Sequence, residues 1–504
     1  MSLLGIDVGT TGCKAVVFDA AGRPLAQARR EYPLANPREG FWELDPEQVW
    51  QQVLAAIRET TATAGAGVTA LAVSALGEAV LPVDRDGLPL AGGAISADLR
   101  AAAEIDLLRA RLGAAAIYAI TGQPATAYYS LPKVMWWRRN TPDIYARTHK
   151  FVCFGDYVLM RLGLEPAIDA TMAARTLAYD INRGAWSETM IEAAGIDPAK
   201  LPAVVASGSS IGRLGRRGAA LTGLPADVEV VAGGFDQACA ALAAGVVTEG
   251  TGFYGLGTTE ALALAMRHPN PALSKLNVAV IPHAVPGILL AMTGSQTGGR
   301  LLRWCRDELC ADERLAAAAR NVDAYDLMLA GLTPEPGPLM VLPHFAGSGS
   351  LDGDADALGA ILGLSFDARR ADIVKAVLEG VTYEQALSLA RLGAEGVSPT
   401  RFAVVGGGAR SDLWMQIKAD IIGRPLARQQ IFDASCLGAA LLAGIATGVY
   451  ASPQAAVNAV ERPVSLFEPN ERRHALHQRR LAAYGTLHAG LAEVNAALRT
   501  TAVN

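Results

Sequence analysis

Two short segments carry the residue types best suited to chemistry. One is Gly5-Ile6-Asp7-Val8-Gly9-Thr10-Thr11-Gly12-Cys13-Lys14; the other is Gly252-Phe253-Tyr254-Gly255-Leu256-Gly257-Thr258-Thr259-Glu260. Each reads as an apolar strand, a Gly-Thr-Thr turn and a returning strand. Glycine lets a backbone approach another group closely or take positive φ, and the threonine hydroxyls stand beside exposed N–H groups. Such a concavity suits a phosphate. Lys14 can reach back to the first turn as a phosphate contact, or stand there as a solvated turn lysine. Asp7, a carboxylate in an apolar strand, could hold a metal ion through water. Gly233-Gly234-Phe235-Asp236 closes a third apolar run. Asp236 reads equally well as a general base facing a cleft and as the cap of the following helix.

These segments need strands to present them, and the rest of the chain supplies strands alternating with helices. The apolar run Val68 to Ser74 leads into Ala75-Leu76-Gly77-Glu78-Ala79, and Ser96-Ala97-Asp98-Leu99-Arg100 lies at another strand end. Helices are expected after Asp45-Pro46, over 101–118, 131–139, 156–162, 186–194, 372–392, 412–422 and 436–447, and in the amphipathic segment 470–498. Further glycine-rich loops are Ala346 to Ser350 and Gly406 to Ser411. The pattern is α/β. Gly9 and Gly257 head the two turns about half a chain apart, which suggests a duplicated fold with a ligand between the copies.

The length of 504 residues exceeds one ordinary core, and 51% apolar with 18% charged residues leaves no disorder signature. A net charge of −5 argues against a nucleic-acid or anionic-membrane partner. The six cysteines are scattered without a CxxC pair, as in a reduced, cytoplasmic protein without structural zinc. No basic stretch precedes the first strand, so no signal peptide is expected. The run Leu437 to Val449 is too short to span a bilayer and reads as a packed helix.

Taken together, segments 5–19, 233–236, 252–264 and 406–411 resemble the FGGY family of carbohydrate kinases over almost the whole chain. Gly359 to Leu364, read as helical, and the following Asp372 to Glu379 are similar to one family signature, and Tyr128 to Asn140 resembles the other. The resemblance implies the two-domain actin/hexokinase/Hsp70-like (ribonuclease H-like) ATPase fold, with residues 1–246 and 247–504 as its domains and the active site in the cleft between them. It implies ATP and Mg²⁺ as cofactors, and Asp236 as the base that accepts the proton of a sugar hydroxyl. Thr10, Thr11 and Lys14 would face the phosphates from one side and Gly257, Thr258 and Thr259 from the other, with Asp7 on Mg²⁺ through water. Gly407, Gly408, Ala409 and Ser411 would lie against adenosine. Gly299 would line the nucleotide site or serve only helix packing.

For the sugar, the resemblance implies Glu78, Asp98 and Arg100, with a loop acid and a structural ion pair as the respective alternatives. Glu78 stands where D-xylulokinases carry histidine and matches the acid of glycerol kinases, whose preceding arginine is here Gly77. The segment 96–100 is closer to ketopentose kinases, including the L-xylulokinase branch. The expected substrate is a ketopentose of the xylulose type, with a polyol such as glycerol or erythritol as the alternative. A nucleotide-binding regulator on the same fold is the alternative of another class. An NAD enzyme is disfavoured, because 406–411 lacks the GxGxxG spacing; a GxxxxGK[ST] loop is absent as well. The expected partner is a small sugar or polyol, and a homodimer is left open.

Overall fold

The computed structural model describes residues 1–349 and 352–501. Its frame is two sheets. In the first, β1 (Ser2–Val8), β2 (Gly12–Phe18) and β3 (Pro24–Glu31) are successively antiparallel. Beside β1 lie β4 (Val68–Ala75), parallel to it, and β6 (Glu229–Phe235), parallel to β4, while β5 (Ser210–Arg213) closes the edge. In the second, β7 (Thr251–Leu256) forms a hairpin with β8 (Glu260–Met266), and β9 (Ala279–Pro282) and β10 (Leu289–Ser295) extend that side antiparallel. On the other side β11 (Arg401–Val405) and β12 (Leu426–Gln429) run parallel to β7, and β13 (Val464–Phe467) ends the sheet. Both sheets thus run an antiparallel set, three strands in the first and four in the second, into two parallel strands, hairpin first. That is the duplication suggested by the two Gly-Thr-Thr turns.

Local chemistry sets the connections. Asp45 caps helix Pro46–Ala64 by accepting from the amides of Glu47 and Gln48, and Trp50, Val53, Leu54 and Ile57 turn its apolar face to the first sheet. The helix expected over 101–118 is two, Ala102–Leu112 and Ala114–Thr121, because Gly113 takes φ 80° between them. This insertion reaches the second sheet: the Tyr118 hydroxyl donates to the Val278 carbonyl at 2.7 Å, and Gln123 Nε2 to the Val280 carbonyl at 2.8 Å.

One expectation is corrected. Residues 359–364 are not helical: Ala360–Leu362 is a strand paired antiparallel with Met340–Leu342, since only three apolar residues stand between Gly359 and Gly363 and the latter takes φ 87°. Packing crosses the expected division at 246/247. Helix Ala434–Ala446 packs on the first sheet, joining the core of β1, β4 and helix Asp236–Ala243, and helix Pro453–Ala459 packs against these two helices. Glycine makes this possible: a Cβ on Gly5 would stand 1.9 Å from the Cys436 carbonyl oxygen, and one on Gly438 2.0 Å from that of Cys239. The chain then returns to the second sheet through β13. Of the loop Ala346 to Ser350, Ser350 lies outside the described residues. All six cysteines are buried and free. No helix among the described residues is long and apolar enough to cross a membrane.

Candidate active site

Asp236 opens helix Asp236–Ala243 at the end of β6. The cap position belongs to Phe235, and no side chain closes that helix end, so Asp236 is not spent on capping. Its Oδ1 is buried without a hydrogen-bond partner. Burial pushes its carboxyl up to about 6, against the pull of the neighbouring Gln237 amide and of the Arg175 charge. A desolvated carboxylate with one oxygen unused is the arrangement a proton acceptor needs.

Asp7 lies on the adjoining β1 and accepts from the Ser74 hydroxyl at 3.1 Å. Burial, then the charges of Asp236 and Asp433, push it up to about 7. Three carboxylates therefore share one site. Asp433 comes from the far end of the chain, where it caps helix Ala434–Ala446 at φ 44° and pairs with Lys14. Next to it, Ser435 donates to the Asp236 carbonyl at 3.3 Å. Lys14 is thus neither a free phosphate contact nor merely solvated; it is tied to Asp433.

The turns are held from below. In the first, the Gly9 amide donates to the Gly12 carbonyl at 2.9 Å and the Tyr32 hydroxyl to the Gly9 carbonyl at 2.7 Å, leaving Thr10 and Thr11 exposed. In the second, the Gly257 amide donates to the Thr259 carbonyl at 3.1 Å, and the amides of Gly299 and Arg300 donate to the carbonyls of Gly257 and Thr258 at 2.9 and 3.0 Å. A Cβ on Gly299 would stand 2.8 Å from the Gly257 oxygen. Gly299 therefore packs against the turn and also lines the cavity beside it.

Beside this turn a cavity of about 740 Å³ is lined by Gly257, Thr258, Gly299, Gly407, Gly408 and Ser411, together with Arg303 and Tyr325, which sequence reasoning missed. Its size fits a nucleotide-scale ligand. A Cβ on Gly407 would meet nothing within 4 Å. Thr259 belongs to the turn but not to the wall. Ala409 lies buried beneath, its carbonyl taken by Arg428 at 3.1 Å, so the expectation that it touches the ligand is not met.

At the sugar end the expected residues part company. Glu78 is buried, takes φ 62°, and pairs with Arg175. A non-glycine residue at positive φ is held there by its surroundings and often marks a functional site. Asp98 and Arg100 form the ion pair named as their alternative. Asp98 accepts from the Trp42 amide at 2.8 Å and from Arg100 Nε at 2.7 Å, while Arg100 also pairs with Glu43 and stacks 4.2 Å over the Phe41 ring. Their polar groups are spent on each other.

Arg175 and Asp433 were the residues missed here. Arg175 did carry a signal, a lone charge in the apolar run Met172 to Ala178, and Asp433 another, a cap-type residue just ahead of a helix.

Two family models match the chain: the N-terminal domain of the FGGY family of carbohydrate kinases over residues 2–243 and its C-terminal domain over residues 253–447. The chain belongs to the FGGY family of carbohydrate kinases. A glycerol kinase from Methylibium petroleiphilum is 34% identical, covering 89% of this chain and 91% of its own. An autoinducer-2 kinase from Escherichia coli is 29% identical, covering 94% and 92%. The crystal structure of xylulose kinase from Rhodospirillum rubrum superposes with a TM-score of 0.88 at 27% identity, over 98% of this chain and all of that one. The architecture is accordingly the actin/hexokinase-like ATPase fold. This FGGY kinase is an ATP-dependent phosphotransferase acting on a sugar or polyol hydroxyl. The three relatives differ in substrate name, so membership alone leaves the acceptor open.

The residues present fit ATP, since the cavity leads to the Gly257–Thr259 turn and leaves open space at Gly407. Replacing Gly407 by Leu should raise the KM for ATP about tenfold or more, roughly 1.4 kcal/mol of binding, with an unchanged melting temperature. Gly408→Leu should also lower the melting temperature, because a Cβ there already stands 3.1 Å from the Trp414 ring. Nucleotide titrations and melting curves of both variants check this; an unchanged KM in Gly407→Leu would remove Gly407 from the site.

Proposed function

We propose that this kinase phosphorylates a neutral ketopentose of the xylulose type, with Asp236 as the general base. The observation that carries this reading is the Asp236 carboxylate itself: buried, with Oδ1 unpartnered, and near both Asp7 and the Glu78–Arg175 pair. Asp236 would take the proton of the sugar hydroxyl as its oxygen aligns for in-line attack. Thr10, Thr11 and the Gly257–Thr259 turn would orient the phosphates, and Glu78 would accept from sugar hydroxyls. Mg²⁺-ATP, when bound, supplies the phosphoryl group and offsets its charge. Among the described residues no three His, Cys, Asp or Glu side chains form a metal cage. That fits Mg²⁺ held mainly by phosphates and water, with Asp7 reaching it through water. Burial and, after it, the charges of Asp236 and Asp433 push Asp7 up, and a cation would relieve the repulsive part.

A polyol is the second reading, favoured by the 34% identical glycerol kinase. Glu78, Asp236 and Arg175 sum to one negative charge, which disfavours acidic sugars. A coupled ADP-release assay over D-xylulose, L-xylulose, D-ribulose, glycerol, erythritol and D-gluconate decides. The highest kcat/KM is expected for a xylulose and the lowest for gluconate. Preference for glycerol or erythritol would install the second reading, and no sugar-stimulated release from any of them would overturn the phosphotransfer assignment.

A further inference from the structure

Arg175 ends the short helix Ala170–Ala174 and is only 6% exposed, yet its guanidinium is held on several sides. One Nη pairs with Glu78, and the other donates to Gln123 Oε1 at 3.1 Å. The rings of Tyr129 and Phe235 stand 5.1 and 5.2 Å from its central carbon, and Tyr128 at 5.7 Å. Phe235 also fixes the residue before Glu78: a Cβ on Gly77 would stand 2.7 Å from that ring. Gln123 in turn donates its amide to the Val280 carbonyl of β9, in the other sheet. Arg175 Nε remains buried and unpartnered.

Such an arrangement is expensive as pure scaffolding. A buried guanidinium loses solvation that a single carboxylate does not fully restore, and a leftover buried donor adds to the cost. Glu78 bears a further cost in its φ of 62°. Strain and desolvation concentrated beside Asp236 are sensible if they keep a carboxylate fixed for a ligand.

Building on the phosphotransfer reading, we propose that Arg175 is the positioning residue for sugar recognition: anchored by Gln123, it holds the Glu78 carboxylate at a fixed place and angle, from which Glu78 accepts from adjacent hydroxyls of a neutral polyhydroxy substrate. The planar fork of arginine meets Glu78 and Gln123 at once, which a lysine ammonium on a flexible stem does not.

The test uses Arg175→Lys, Gln123→Met and Glu78→Gln in the full chain, with whichever of D-xylulose, L-xylulose or glycerol the wild type turns over best. Arg175→Lys is expected to raise the sugar KM about tenfold or more while the KM for ATP and sugar-independent ATP hydrolysis stay within about twofold. Gln123→Met, which leaves no buried charge unpaired, should raise the sugar KM severalfold and serves if Arg175→Lys does not fold. Combining either with Glu78→Gln should cost little beyond Glu78→Gln alone, because both act through the same carboxylate. An unchanged sugar KM, an equal rise in both KM values, or additive effects with Glu78→Gln would overturn the proposal. If the wild type itself shows no sugar-stimulated ADP release, the phosphotransfer reading falls and this inference with it; a wild type that turns over sugar beside unaffected variants removes only the role of Arg175.

Discussion

Asp236→Asn is expected to cut sugar-stimulated ADP release by about 10²–10⁴-fold, the usual contribution of a positioned general base. The amide keeps the shape and the helix start but cannot accept the proton. In the wild type, kcat/KM should fall tenfold per pH unit below about 6, where Asp236 becomes protonated. The same shift fixes the sign of the stability effect. The folded carboxyl sits at about 6, above the roughly 3.9 of an unfolded aspartate, so the folded state binds this proton more tightly. Its charge therefore opposes folding fully above pH 6, less between 6 and 4, and not below about 4. Asp236→Asn should accordingly melt no lower than wild type at pH 7.5, and any gain, on the order of 1–3 kcal/mol at most, should vanish towards pH 4. Turnover near the wild-type rate would refute the assignment. A lost activity accompanied by a lowered melting temperature at pH 7.5 would point to a structural role instead.

Lys418→Met is expected to be the most destabilising of the substitutions considered, by about 3–5 kcal/mol in denaturant titration. Lys418 and Glu260 are both fully buried, with Lys418 Nζ 2.7 Å from Glu260 Oε1 and 2.9 Å from the Tyr254 hydroxyl, which itself donates to Glu260. Burial drives Glu260 up and Lys418 down, each towards its neutral form, and the pair opposes both shifts. Removing one partner leaves the other charge stranded. Glu260 directly follows the second Gly-Thr-Thr turn, and Lys418 lies in helix Asp412–Ile422, which follows the loop at Gly407. The variant should therefore also raise the KM for ATP. The double variant Lys418→Met/Glu260→Met should regain much of the stability, since apolar replacement of a whole buried pair is often close to neutral. A single-variant loss below about 1 kcal/mol, or no recovery in the double variant, would refute this account.

The reach of the sequence can be judged residue by residue. The two Gly-Thr-Thr hairpins were legible because a strand–turn–strand unit is local: the apolar runs, the turn chemistry and its polar tip all lie within about fifteen residues. From their spacing came the duplication, and the two sheets carry it out in strand order. Asp236 was legible locally as an acid at the end of an apolar run, one residue after two glycines, while its reading as base over helix cap came from the family resemblance. The glycine loop at Gly407, Gly408 and Ser411 was local too, but its place against adenosine came from the family resemblance.

The rest depended on long-range contact. Helix Ala434–Ala446 gave no local sign that it would leave its own half and lie on β1; that choice was made by close approaches formed only on folding, of Gly5 to Cys436 and of Gly438 to Cys239. Asp433 reached Lys14 by the same route. Asp98 and Arg100 found partners in the Trp42 amide and Glu43, and Glu78 gained its partner from Arg175, nearly a hundred residues away. The physical reason is common to all four. Sequence by itself determined where a charge or a turn must occur, because propensity and local hydrogen bonding act between neighbours in the chain. Only the tertiary structure decided which buried charges face each other, because desolvation forces each to find a partner wherever packing brings one.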